Sequence, residues 1–133
     1  MGDLNSKFNA LVLICLCVAG YFFITKTSKS VKPPVDRWFQ SAVVERTEPV
    51  LVKFGAPWCG PCRMLDPELD KLAGSGLVRV VRIEIGEHPE LAHHYGVTSI
   101  PRLFLFDRGN VLADRVGYAD YKQLQTWITN RTR

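Results

Sequence analysis

An α/β architecture is the expectation for this chain, with a central mixed sheet flanked by helices. Three observations predict it. Segments of helical periodicity alternate with short apolar, β-branched runs in the order αβαβαββα, the pattern of a sheet covered by helices on both faces. Only Asp107-Arg108-Gly109-Asn110 separates the last two strand runs, so an antiparallel hairpin must adjoin the parallel portion. The 133 residues suffice for one such domain plus a short extra segment.

The extra segment is N-terminal. Residues 10–24 (ALVLICLCVAGYFFI) carry no charge. Extended to 8–25, the run would make about 27 Å of helix, close to the roughly 30 Å of a bilayer core. The expectation is therefore a single-pass transmembrane helix, with residues 1–25 a membrane anchor or an uncleaved signal. Val18-Ala19-Gly20 matches a cleavage site poorly and lies inside the apolar run. Lys7 precedes the run and Lys26, Lys29 and Lys32 follow it, a count that argues for a cytosolic domain. The short tail with one lysine resembles an export signal instead, and the placement adopted is a catalytic domain on the non-cytoplasmic side. Residues 26–34 form a Lys/Ser-rich linker ending in Pro33-Pro34, and residues 35–133 form the domain.

Within the domain, Val35, Trp38, Phe39, Ala42 and Val43 recur at helical spacing until Glu48-Pro49. Val50–Phe54 reads as a central strand. A helix starts at or just after Cys59 and runs to about Ala73, with Leu65, Leu69 and Leu72 as its buried stripe. Pro61 is harmless in the first turn, whereas Pro67 should kink the helix. Gly74-Ser75-Gly76 ends it. Leu77–Ile85 is a strand, Glu87–Tyr95 a short helix stopped by Gly96, and Arg102–Phe106 and Val111–Val116 are the hairpin strands. Asp120 caps a last helix that turns Tyr121, Leu124, Trp127 and Ile128 inward.

Charge and cysteine usage exclude some functions. The net charge is +4, but from Pro34 onward there are 13 Lys/Arg against 12 Asp/Glu, and the excess flanks the apolar run. No basic patch with interleaved aromatics appears, so nucleic-acid binding is not expected. Cys15 and Cys17 lie in the apolar run, leaving Cys59 and Cys62 as the cysteines of the domain. A zinc site wants four ligands, and the adjacent His93 and His94 would point apart on a helix, so no metal is expected. Residues i and i+3 of a helix have Cα atoms about 5 Å apart, inside the window of about 4.4–6.8 Å that a disulfide needs. Trp58-Cys59-Gly60-Pro61-Cys62 therefore reads as a redox pair at a strand-to-helix junction.

Phe54-Gly55-Ala56-Pro57-Trp58-Cys59-Gly60-Pro61-Cys62, Pro67, Tyr95-Gly96-Val97-Thr98-Ser99-Ile100-Pro101 and Val116-Gly117 resemble thioredoxin across residues 35–128. The resemblance implies a thioredoxin fold, a protein-disulfide oxidoreductase activity, a Cys59–Cys62 disulfide and no cofactor. It implies that Pro101 is a cis-proline facing the cysteines. It maps a substrate patch onto Trp58, Gly60, Pro61, Ile100, Pro101, Val116 and Gly117, where a client backbone can pair by strand addition. The motif also has a physical reading of its own. Cys59 sits at a helix N-terminus, which stabilises a thiolate, so it is the nucleophile. Cys62, one turn deeper, resolves the mixed disulfide.

One position departs from the family. Thioredoxins usually carry a buried Asp six residues before the first cysteine, and here that residue is Lys53. A charged Lys53 would stabilise a Cys62 thiolate, a neutral one could act as a base in proton handling, and a snorkelling one would do neither. Arg82 brings a second positive charge nearby, and Glu84 is a candidate partner for Lys53. The Gly-Pro dipeptide and the Ile before Pro101 resemble reductases, so the first reading is a membrane-tethered reductase of client protein disulfides. An oxidase or isomerase and a thioredoxin-fold binding module in a membrane assembly are the alternatives. The electron donor would be a flavin-dependent thioredoxin reductase or a membrane reductant relay, and the chain is expected to act as a monomer.

Overall fold

The run Val50–Gly55 is buried at every position, and the sheet is built outward from it. The structure is a computed structural model that describes residues 9–16 and 36–133. In chain order the domain elements are α1 (Arg37–Phe39) continuing into a π-helical turn (Gln40–Val44), β1 (Val50–Gly55), α2 (Gly60–Gly74), β2 (Arg79–Glu84), α3 (Pro89–His94), β3 (Arg102–Asp107), β4 (Asn110–Val116) and α4 (Tyr121–Thr132). The sheet order is β2-β1-β3-β4. β1 pairs parallel with β2, and α2 supplies the crossover that a parallel pair requires. β1 pairs antiparallel with β3, and β3 with β4. The mixed sheet expected from the sequence pattern is present.

Alternation along β1 divides the interior into two layers. Val50, Val52 and Phe54 face one layer with Phe39, Val43, Ile83, Leu91, Phe104 and Phe106. Tyr95 packs on this layer against Phe39, Phe54, Phe104 and Phe106, and burial pushes its phenol up to about 12. Leu51 faces the other layer, where α2 and α4 contribute Leu65, Leu69, Leu72, Leu124 and Ile128. Lys53 and Gly55 follow Leu51 at the strand period and belong to that second face.

Local chemistry fixes the connections. Arg108 and Gly109 form the β3–β4 turn with φ of 47° and 77°, the mirror-image turn that suits the twist of a hairpin. A Cβ on Gly109 would also lie 2.7 Å from the Val44 carbonyl oxygen. Asp36 caps α1, its Oδ1 accepting from the Trp38 and Phe39 N–H groups. Asp120 and Gln123 form a capping box on α4. Glu68 of α2 accepts the Tyr121 N–H at 2.9 Å and the Lys71 ammonium at 2.9 Å, tying α4 to α2.

The structure departs from the sequence reading in several places. The first helix widens after Phe39: the Glu45 N–H donates to the Gln40 carbonyl, five residues back. Trp38, placed on the buried face by its spacing, is 46% exposed and stacks on the ring of His88. β2 is shorter than Leu77–Ile85, because its first two residues precede the pairing that starts at Val50↔Arg79.

The membrane placement requires a larger correction. Of the expected anchor only residues 9–16 are described, and they are helical. No helix among the described residues is long and apolar enough to cross a membrane. The single-pass localisation over 8–25, and with it a catalytic domain on the non-cytoplasmic side, is withdrawn on that finding. Residues 17–25 and the 26–34 linker lie outside the described residues.

Two measurements check the packing of α4. Asp120→Ala removes the capping box and should lower unfolding stability by about 1 kcal/mol in a denaturant titration. The Lys71 ammonium, then the Tyr121 N–H, hold the Glu68 carboxyl below its ordinary 4.5. A depressed folded value means that this stabilisation is full above 4.5 and is lost as pH falls through the folded value. Wild type should exceed Glu68→Gln in stability at neutral pH, and the gap should close on acidification.

Candidate active site

β1 ends at Gly55, and the chain turns through Ala56-Pro57-Trp58, the Cys59 N–H donating to the Ala56 carbonyl at 3.1 Å. Cys59 then becomes the N-cap of α2, with extended backbone angles, and its Sγ accepts the Cys62 N–H at 3.3 Å. The first turn of a helix leaves N–H groups without helical partners, and the sulfur takes one of them. Pro61 stands in that same first turn, where its missing N–H costs nothing. Cys59 and Cys62 are disulfide-bonded, with Cα atoms 5.2 Å apart. Both are buried, Cys59 at 6% and Cys62 at 1% exposure, so Cys59 is the more accessible sulfur. Ala56, Ile85 and Ile100 pack around the pair.

The loop before β3 closes the other side. The Ile100–Pro101 peptide is cis, and Pro101 is buried. The Pro101 carbonyl accepts the Gly117 N–H at 2.9 Å, which joins this loop to the end of β4. Gly117 has φ of 89°, a conformation that favours glycine. Ile100, Pro101, Val116 and Gly117 are thus held together, with Ile100 against the cysteines. Trp58, Gly60 and Pro61 flank the cysteines in the chain; Trp58 is 75% exposed and Val116 48%.

Lys53 lies beneath the disulfide and is 2% exposed. Its Nζ donates to Asp66 Oδ1 at 2.7 Å. The expected partner was Glu84, yet one Glu84 oxygen, Oε2, is buried without a hydrogen bond. Arg82 also reaches Asp66, at 3.2 Å, and Asp70, at 2.6 Å. Sequence reading missed Asp66, although the signal was present: it stands four residues after Cys62 on α2 and so shares its face. Gly55 makes the arrangement possible. A Cβ there would lie 2.7 Å from Lys53 Cε and 3.3 Å from both Lys53 Nζ and Cys62 Sγ. The ammonium and the Cys62 sulfur therefore lie within twice that distance of each other, sharing the space a side chain at 55 would fill.

Elsewhere, Asp36, His88 and Glu90 bring three possible metal-ligand atoms within 4.8 Å of one another. Asp36 is already committed to capping α1, and the His88 ring stacks on Trp38.

A family model described as thioredoxin matches residues 30–130. The chain belongs to the thioredoxin family. It is 41% identical over 95 residues to a thioredoxin of Haemophilus influenzae, covering 70% of this chain and 89% of that protein. Over 95 residues it is 39% identical to a thioredoxin of Rickettsia felis, with 70% and 90% covered. A "Thioredoxin 1" of Synechococcus elongatus is 45% identical over 84 residues, with 62% and 78% covered. The four-stranded mixed sheet with flanking helices is accordingly a thioredoxin fold, and the chain is a thiol–disulfide oxidoreductase with a redox-active cysteine pair.

The crowding at Gly55 carries a direct prediction. Gly55→Ala must displace either Lys53 or the backbone, and overpacking of this kind costs about 1–3 kcal/mol. A denaturant titration should find the variant less stable than wild type by that amount.

Proposed function

We propose that this thioredoxin reduces disulfides in client proteins, with Cys59 as nucleophile and Cys62 as resolving thiol. Residues 35–133 carry the activity, and residues 26–34 are the linker ahead of them. The Cys59 thiolate attacks one sulfur of a client disulfide, and a mixed disulfide forms as the first client thiolate leaves and takes a proton. Cys62 gives up its proton and attacks Cys59 Sγ, and the second client thiolate leaves and is protonated. The client disulfide gains two electrons and two protons, and the Cys59–Cys62 disulfide holds the oxidising equivalent. A dithiol donor of the thioredoxin reductase type restores the pair.

The observation that carries this reading is the Cys59 sulfur seated as the cap of α2. There a thiolate gains from unpaired N–H groups and the helix dipole. The exposed Trp58 and Val116, with Pro61, Ile100 and Gly117, offer the adjoining surface a client would cover. In this reading the client backbone pairs beside Ile100 and Pro101 in the manner of an added strand. The direction of transfer rests on the Gly60-Pro61 dipeptide and on Ile100, which resemble reductases. An isomerase or oxidase role is the second reading, favoured by the cation at Lys53.

Reduction of a disulfide-bonded test protein, driven by excess dithiothreitol, tests the proposal. Cys59→Ser should fall to the uncatalysed rate. Cys62→Ser, reduced beforehand and freed of dithiothreitol, should instead accumulate a mixed disulfide with the test protein through Cys59, visible by intact mass. Full activity in Cys59→Ser would sink the assignment.

A further inference from the structure

The geometry points to Lys53 as a positioning residue for the redox couple: its ammonium, held by Asp66 in the space Gly55 leaves open, stabilises the thiolate of Cys62. The inference rests on the exchange reaction proposed above and deepens it at the resolving sulfur.

Three observations carry it. Lys53 Nζ is buried and donates to a carboxylate at 2.7 Å, the arrangement of an ammonium and not of a neutral amine seeking a donor. Asp66 is itself held by Arg82, so the carboxylate is fixed before Lys53 reaches it. Gly55 lacks the side chain that would separate the ammonium from Cys62 Sγ. The ammonium thus has Asp66 and the Cys62 sulfur, both on α2, as its neighbours. Around this pair stand Asp66 and Asp70 from α2 and Arg82 and Glu84 from β2, with Cys59 as the second thiol.

The chemistry follows from the order of charges in the reaction. Resolution of the mixed disulfide requires Cys62 as a thiolate, and its proton leaves before the Cys62–Cys59 bond forms. A paired ammonium has no lone pair to accept that proton. The proton goes to the departing client thiolate or to solvent, and Lys53 acts by its field on the anion left behind. Asp66 offsets part of the ammonium's field, and the net effect on the sulfur in a partly desolvated site is on the order of one pH unit. The same field favours the reduced pair, so the couple is less strongly reducing than the same protein without the charge.

The test follows the Cys62 ¹³Cβ resonance against pH in the reduced, full-length protein, with Cys62→Ser to assign it. Lys53→Met removes charge and hydrogen bond; Lys53→Gln removes the charge and keeps a donor for Asp66. Circular dichroism confirms that each variant is folded, and if Lys53→Met is not, Lys53→Gln alone decides. The Cys62 ionisation should move up by about one pH unit, a tenfold loss of thiolate at a given pH. Because a more basic thiolate is also more reactive, resolution of a preformed mixed disulfide should slow only about threefold below that ionisation. An unchanged Cys62 titration in folded Lys53→Gln overturns the inference, as does a downward shift. Loss of exchange activity in wild type would instead overturn the reductase reading, so the two failures are distinguishable.

Discussion

A disulfide-forming pair has to be rigid enough to close and accessible enough to react, and the handover from β1 to α2 meets both needs. β1 is covered on both faces, so its end point is fixed by the core. The chain then turns within four residues and enters α2 with Cys59 as the cap. Its backbone is extended while that of Cys62 is helical, and the first turn of the helix sets their separation. The rest of the domain supports this junction. α2 is pinned to the sheet by Leu65, Leu69 and Leu72 and to α4 through Glu68, and the Pro101–Gly117 contact holds the opposing loop in place.

The buried cation changes the electrostatics of that junction. An isolated ammonium in such a place would cost several kcal/mol, and pairing offsets the cost only when the geometry is good. Here Asp66 is half-exposed, and Arg82 leans on it from β2. The network is therefore not a dry ion pair but a graded path of charge from solvent to sulfur. Gly55 is the steric counterpart of Lys53, because a Cβ at 55 would crowd the end of the lysine side chain. Two departures from an apolar strand, on either side of Phe54, thus resolve into one device.

Much of the fold was legible because it rests on periodicity. The strand runs, the hairpin at Arg108-Gly109 and the caps at Cys59 and Asp120 follow from local chemistry that a sequence states directly. The family resemblance rested on the WCGPC run and on Ile100-Pro101, and the comparisons with known thioredoxins agree with it. What escaped was long-range. The partner of Lys53 depends on how α2 lies across the sheet, and strand alternation alone pointed to Glu84. Trp38 was misplaced because helical spacing is blind to a partner outside the helix, and its half-exposed ring stacks on His88 instead of entering the core.

The central claim is that Cys59 and Cys62 form one exchange couple, gaining and losing electrons together. Equilibration of the full chain in glutathione buffers of graded potential, quenched by alkylation and read by intact mass, tests it most directly. The account predicts a single two-electron transition in which both cysteines change state over the same narrow range. A pair that stays in one state across the range, or that titrates as two separate thiols each capped by glutathione, would contradict it.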